Sequence, residues 1–130
     1  MRPLLALALV MMGARTHTIP VLVLHGRADG VVSAKNAAAL IRQWVVVNAI
    51  ARGMAAPATA TSSETVETPD RYRATRERWN APDGAPLVES WMIDVLGHAW
   101  SGGDPSGTFT DAKGPDASTL ILRFFLNGTT

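Results

Sequence analysis

The 130-residue sequence contains no cysteine, and this absence removes several kinds of structure and chemistry at once. A chain without thiols forms no disulfide framework, no thiolate zinc site and no cysteine nucleophile. The redox compartment of the protein is also left open, because thiol usage is the sequence feature that would indicate it. These classes are excluded before any motif is considered.

The sequence also lacks an excess of charge of either sign. Twelve Lys and Arg stand against 11 Asp and Glu, which gives a formal net charge of +1 at pH 7. The basic residues are scattered, so the chain has no electrostatic footprint for a phosphate backbone or an anionic membrane surface. We therefore expect no nucleic acid and no membrane among its partners.

What the chain does contain is enough apolar sequence for one modest core. Hydrophobic residues make up 47% and charged residues only 18% of the sequence, which argues against general disorder. A chain of this length supports one domain at most and buries roughly two-thirds of its unfolded surface.

The N-terminal segment 1–17 is apolar at its start and has three open interpretations. An early Arg followed by the apolar run of MRPLLALALVMM is similar to the beginning of a secretory signal. A small-x-small cleavage pattern is missing, because Met12 stands two residues before Ala14. The run is also shorter than the about twenty residues of a transmembrane helix. The segment is therefore a buried helix whose partners precede Met1, a signal-like segment or an irregular arm.

The first half of the remaining chain predicts a strand and then a helix. TIPVLVL at 18–24 is continuously apolar, which is typical of a strand covered on both faces. Ser33 is a candidate N-cap for the helical pattern of AKNAAALIRQWVVVNAIARG, which Gly53 can end. Residues 53–70 have no periodicity and predict an exposed, flexible connection.

The second half predicts a β-hairpin and a final helix. RYRATRERW at 71–79 and LVESWMIDV at 87–95 flank APDGAP, which has the composition of a turn. We interpret the arginines of the first strand as its solvated face; they are Arg71, Arg73, Arg76 and Arg78. After Pro115 the pattern predicts a helix with one apolar face, which consists of Leu120, Ile121, Phe124 and Phe125.

The order of these elements predicts an α/β protein with a mainly parallel sheet, a β-hairpin and two flanking helices. Two or three strands are too few for such a sheet to stand alone, since parallel sheets are covered on both faces and have about four to six strands. We therefore expect residues 18–130 to be part of a larger α/β domain.

Two polar residues follow predicted strands at the positions where an open α/β sheet carries its reactive groups. Asp29 follows the first strand in HGRADGVV, and His98 follows the last strand in VLGHAWSGG. A carboxylate that accepts from one imidazole nitrogen fixes the tautomer, so that the other nitrogen can act as a base toward a nucleophile. An acid followed by a histidine is also the chain order of the last two members of an α/β-hydrolase triad.

The segments at 20–44 and 91–125 resemble the C-terminal part of the polyhydroxybutyrate depolymerase family of secreted α/β-hydrolase esterases, which is related to feruloyl and acetylxylan esterases. The family's HGxxDxxV element carries the triad acid and its GLGHAWxGG element carries the triad histidine, which correspond to Asp29 and His98. One departure is that Val95 and Leu96 precede Gly97 where the family has an earlier glycine. The resemblance implies ester hydrolysis through an acyl-serine, without metal or organic cofactor, in an extracellular protein.

The family nucleophile, a serine in G-x-S-x-G, has no counterpart in this sequence. Ser101 stands in A-x-S-x-G, but it follows the candidate histidine in a loop and no strand-to-helix elbow precedes it, so we do not assign it as the nucleophile. Loss of the nucleophile reduces turnover on the order of a million-fold in a serine hydrolase. We therefore expect the chain to be a C-terminal fragment that is inactive unless another segment supplies the serine.

Two further residues are predicted to line the substrate site. Trp100 lies two residues beyond His98, and His25 directly follows the first strand. No metal site is predicted, because the loop aspartates do not fit the D-x-D-x-D-G spacing of a calcium loop; they are Asp104, Asp111 and Asp116.

Two other interpretations of the chain remain open. It can be a non-catalytic small α/β binding or assembly module derived from the same scaffold, or a gene fragment without a function of its own. The expected partner is an ester substrate if an N-terminal half completes the site, and an exposed sheet edge offers a possible surface for association.

Overall fold

A mixed four-stranded sheet with one helix on each face forms the described part of the computed structural model, residues 18–126. The predictions for segment 1–17 lie outside the described residues. The main elements are β1 (Val21–Gly26), α1 (Ala34–Ala51), β2 (Ser62–Val66), β3 (Ala74–Asn80), β4 (Pro86–Ile93) and α2 (Ala117–Leu126). Two short strands, β5 (Trp100–Ser101) and β6 (Thr110–Asp111), form a separate pair.

The strand order in the main sheet is β1-β4-β3-β2. Only β1 and β4 are parallel, whereas β3 is antiparallel to both of its neighbours. The α/β class is therefore confirmed, but the expected mainly parallel sheet is wrong. The physical reason is the length of the connections: residues 67–73 and 81–85 are too short for the crossover of about a dozen residues that parallel pairing requires.

Strand β1 has apolar side chains on both faces, as its sequence predicts. Alternate side chains of a strand point to opposite faces. Val21 and Val23 pack against Val88 and the buried side of α1. Leu22 and Leu24 point to the other face of the sheet and pack in a second cluster, formed by Trp91, Ile93 and Leu96. Because β1 lies at an edge of the sheet, its first five residues are only partly buried.

Helix α1 begins and ends as its sequence predicts. The Ser33 hydroxyl accepts a hydrogen bond from the Lys35 backbone N–H at 3.2 Å, and Gly53 follows the helix with φ +67°. Asn48, on the buried face, was not singled out from the sequence. Its amide donates to the carbonyls of Ile19 and Leu87 and so links the helix to β4 and to the chain that enters β1.

The flexible connection predicted for residues 53–70 needs a correction, because Ser62–Val66 form strand β2. The strand is almost entirely exposed and pairs with β3 at the edge of the sheet. Its polar sequence SSETV has no alternating apolar residues, so the hydrophobic pattern does not predict a strand here. The segment is a strand because its backbone pairs with β3.

The predicted hairpin of β3 and β4 is confirmed, but its arginines are not all solvated. Arg76 and Arg78 keep only 20% and 21% of their side chains exposed, because both bind the carboxylate of Glu89 on β4. The Glu89 side chain is 6% exposed and also accepts from the Trp91 indole N–H at 2.9 Å. A buried carboxylate requires such partners, which explains why these two arginines face inward.

Helix α2 has a narrower buried face than its sequence predicts. Ala117 and Phe124 are buried, whereas Leu120 and Ile121 are partly buried. Phe125, predicted to lie on the same face, is 60% exposed and meets the Phe124 ring edge-on. The helix packs over β1, the edge strand, which offers too little surface to cover a wider face.

Candidate active site

The carboxyl ends of β1 and β4 meet because the two strands are parallel neighbours, with Gly26 opposite Ile93. Beyond this pair the two loops stay bound to each other. The Arg27 N–H donates to the Ile93 carbonyl at 2.9 Å, and the Ala28 N–H donates to the Leu96 carbonyl at 3.0 Å. The loops that carry Asp29 and His98 are therefore held side by side by backbone hydrogen bonds.

The predicted contact between Asp29 and His98 is confirmed. Asp29 Oδ2 lies 2.9 Å from His98 Nδ1, although the two residues are 69 positions apart in the sequence. The Asp29 side chain is 5% exposed, and the His98 side chain is 52% exposed. The pair thus consists of a sheltered carboxylate and an imidazole that is open to solvent.

The backbone of its own loop holds the Asp29 carboxylate in place. The N–H groups of Val31 and Val32 both donate to Oδ1, each at 2.8 Å. Burial raises the pKa of Asp29, but the hydrogen bonds from Val32, His98 and Val31 and the charge of His98 outweigh it and lower the pKa from 3.8 to about 2. Asp29 is therefore ionised at every pH at which an esterase would be assayed.

An ionised Asp29 determines the tautomer of His98. A carboxylate only accepts hydrogen bonds, so the neutral His98 ring carries its proton on Nδ1. Nε2 is then unprotonated and has no hydrogen-bond partner within residues 18–126, while the ring lines a cleft. This is the arrangement of a general base directed by an acid.

His25 binds the backbone of the loop that carries Asp29. Its Nε2 lies 2.9 Å from the Val32 carbonyl oxygen and 3.9 Å from Asp29 Oδ2, and its side chain is 14% exposed. Because a carbonyl accepts hydrogen bonds, Nε2 carries the proton and donates to Val32. His25 lines the cleft as predicted, but its polar contact is with the protein, so contact with substrate stays a prediction.

The cleft beside His98 has a volume of about 400 Å³. All four residues predicted for the site line it: Asp29, His98, His25 and Trp100. Leu24, Leu96 and Phe109 add apolar walls. Phe109 was not predicted from the sequence, although its position as a lone aromatic residue in a glycine-rich loop is a signal that could have indicated it.

The side chain of Ser101 is engaged with the protein. Ser101 is 4% exposed, and its hydroxyl donates to the Pro115 carbonyl. A methyl group on Gly114 would overlap its Oγ, so the hydroxyl is enclosed by this turn. Ser101 thus lies in β5 rather than in the expected loop, and its hydroxyl joins this strand to the residues before α2.

The three loop aspartates each bind neighbouring groups of the protein. Asp104 accepts from the Ser106 N–H, Asp111 from the Tyr72 hydroxyl, and Asp116 from the Thr119 hydroxyl. Within residues 18–126 no group of three or more His, Asp or Glu side chains is arranged to hold a metal ion. Neither helix of this part of the chain is long and apolar enough to cross a bilayer.

No protein-family model matches this chain, and no curated protein matches it.

Proposed function

We propose that this chain carries the acid and the base of a serine-type carboxylic ester hydrolase, as the C-terminal part of an α/β-hydrolase domain. The observation that supports the proposal is the Asp29–His98 pair, joined at 2.9 Å and directed into a cleft. The motifs that resemble secreted polyhydroxybutyrate depolymerases indicate the ester class and an extracellular location.

The proposed reaction has two stages that use the same base. His98 Nε2 takes the proton of a serine hydroxyl while the serine oxygen attacks the ester carbonyl carbon. The tetrahedral intermediate collapses, His98 gives its proton to the leaving alkoxide, and the acyl group stays on the serine. Water then repeats the sequence and releases the acid. Asp29 stabilises the imidazolium at both stages.

The apolar lining of the cleft supports a substrate ester with an apolar acyl or aryl group. Trp100 is 47% exposed and Phe109 is 72% exposed, and both line the cleft with Leu24. Such walls shelter a hydrocarbon group while the ester bond lies toward His98.

The nucleophile must come from outside this sequence, because the chain contains no G-x-S-x-G element. We therefore expect the chain alone to hydrolyse p-nitrophenyl butyrate no faster than buffer. To test the proposal, the coding sequence upstream of Met1 is determined, and the chain is expressed together with any in-frame upstream segment that carries G-x-S-x-G. This longer protein should hydrolyse the ester and lose the activity by at least about 1,000-fold in Asp29→Asn and His98→Ala.

Asp104→Asn is the matched control, since Asp104 is an exposed loop carboxylate that binds only Ser106 and does not line the cleft. It should leave the rate unchanged. A stop codon directly before Met1, together with an inactive chain, would overturn the proposal. So would an activity that survives His98→Ala.

A second candidate function is a non-catalytic binding module. The specific observation in its favour is a second cleft, on the face of the sheet that carries α1, which shares no lining residue with the His98 cleft.

A further inference from the structure

The second cleft lies between the first half of α1 and strands β3 and β4 and has a volume of about 450 Å³. Its apolar lining comes from Ile41, Val45, Trp79 and Met92. The remaining walls include alanines of α1 and of the chain before β2, which are Ala34, Ala38, Ala58 and Ala60. Small side chains on two walls leave room for a small molecule.

A buried hydroxyl without a partner lines this cleft. Ser90 on β4 is completely buried, and its Oγ has no hydrogen-bond partner within the described residues. Buried polar groups in proteins are nearly always hydrogen-bonded, so such a group needs an explanation. A ligand in the cleft would supply the missing hydrogen bond.

A carboxylate lies beside this hydroxyl. Glu77 on β3 is the direct cross-strand partner of Ser90, and both residues line the cleft. Side chains of directly opposite residues stand next to each other on one face of an antiparallel pair. Trp79 also lines the cleft and, two residues along β3, lies on the same face.

Three charged side chains line the cleft, and they differ in the partners they already have. Arg27 is paired with Asp94 at 2.8 Å, and the Arg42 guanidinium donates to the Pro57 carbonyl. Glu77, by contrast, has no ion-pair partner within 4.0 Å in residues 18–126. Arg42 also has no carboxylate partner, but its guanidinium already binds the Pro57 carbonyl, so Glu77 is the charged side chain of this lining that has no polar partner at all in residues 18–126.

We propose that this cleft binds a small organic ammonium, a primary amine with a compact apolar body. The ammonium group would donate to the Glu77 carboxylate and to Ser90 Oγ, which forms one charge-assisted and one neutral hydrogen bond. Trp79 lines the same cleft and would supply the aromatic ring for a cation–π contact, and the apolar body would lie against Ile41 and Met92. The proposal is independent of the esterase site.

The test uses the full chain and three probes of the same shape: benzylammonium, benzyl alcohol and benzoate. Binding is followed through the backbone amide signals of α1, β3 and β4 in nuclear magnetic resonance titrations at pH 7. Benzylammonium should saturate these shifts, bind at least about tenfold more tightly than benzyl alcohol, and leave the signals of the His98 cleft in place. Benzoate should not saturate.

Two variants test the contacts. Glu77→Gln keeps the side-chain shape, removes the charge, and should weaken benzylammonium binding by about tenfold or more, with no effect on benzyl alcohol. Ser90→Ala should weaken it by about fivefold. Glu67→Gln is the matched control, because Glu67 is 71% exposed and does not line the cleft. Thermal unfolding of each variant verifies that it is folded.

Three results would overturn the proposal. The first is the absence of a saturable shift with benzylammonium up to about 20 mM, a concentration at which even a weak site is occupied. The second is equal affinity for benzyl alcohol, and the third is unchanged affinity in a folded Glu77→Gln variant.

Discussion

A methyl group on Gly26 would overlap the carbonyl oxygen of Leu96. Gly26 is the last residue of β1 and is buried, and Leu96 lies in the loop after β4. The close approach of these two backbones is what allows the Ala28 N–H to reach the Leu96 carbonyl and brings the Asp29 loop beside His98. A glycine at this position is thus a condition for the site geometry.

Replacement of Gly26 should therefore separate the two loops. We expect Gly26→Ala to lower the free energy of unfolding by about 1–3 kcal/mol, because the new methyl group meets backbone atoms that move little. Urea unfolding measures this change. Gly30→Ala is the matched control in the same loop, since a methyl group there meets no atom within 4 Å. Equal stability of the two variants would contradict the steric argument.

The low pKa of Asp29 predicts a dependence of stability on acid pH. The folded-state pKa of about 2 lies below the ordinary value of 3.8, so the folded protein favours the ionised carboxylate. This contribution to stability is fully present above about pH 4 and is lost as the pH falls through 2.

Asp29→Asn removes the titrating group and tests this expectation. The difference in unfolding free energy between the wild type and Asp29→Asn should be constant above about pH 4 and shrink between pH 4 and 2. Chemical denaturation at closely spaced pH values gives the two curves. Curves that stay parallel over this range would show that the hydrogen bonds to Asp29 do not lower its pKa.

The elements with strong local signals could be predicted from the sequence. Strand β1 is marked by its apolar run, α1 by the Ser33 cap and Gly53, and the β3–β4 hairpin by its turn. Strand β2 could not be predicted, because its polar residues are held by backbone pairing with a neighbour rather than by burial of its own side chains. The mixed character of the sheet comes from β3, which is antiparallel to both of its neighbours, β2 and β4.

The contact between Asp29 and His98 was predictable for a topological reason. Both residues follow the carboxyl ends of strands, and parallel neighbours bring those ends together. The second cleft was not predictable. Both faces of β4 carry apolar and polar side chains, so its sequence does not alternate, and nothing in it indicates that Ser90 faces α1. The inward position of Arg76 likewise depends on Glu89, thirteen residues away.

The Glu89 carboxylate on β4 should be essential for stability. Glu89→Gln keeps the volume but removes the charge that Arg76 and Arg78 share. We expect the free energy of unfolding to fall by about 2–4 kcal/mol, somewhat less than the about 3–5 kcal/mol of a fully buried pair, because both arginines keep about a fifth of their side chains in water.

Urea unfolding checks this value against Glu67→Gln. Glu67 forms a longer pair of 3.8 Å with Arg73, and both side chains are mostly exposed. Exposed pairs contribute little to stability, so the control should match the wild type. A small effect of Glu89→Gln would mean that the glutamine amide satisfies both guanidinium groups as well as the carboxylate does.

Two buried serines should respond to alanine in opposite ways. The Ser101 hydroxyl donates to the Pro115 carbonyl, so Ser101→Ala removes a hydrogen bond and should lower the unfolding free energy by about 0.5–1.5 kcal/mol. The Ser90 hydroxyl has no partner in the described residues, so Ser90→Ala removes an unsatisfied buried group. Ser90→Ala should therefore raise the free energy of unfolding by up to about 1–2 kcal/mol.

The sign of the Ser90 effect separates a binding role from a structural one. Thermal and urea unfolding of the ligand-free protein should show Ser90→Ala at or above wild-type stability, while the same variant binds benzylammonium less tightly. A residue that reduces stability but improves binding is typical of a functional site. A loss of stability in Ser90→Ala equal to that in Ser101→Ala would show instead that the Ser90 hydroxyl supports the fold and needs no ligand to explain it.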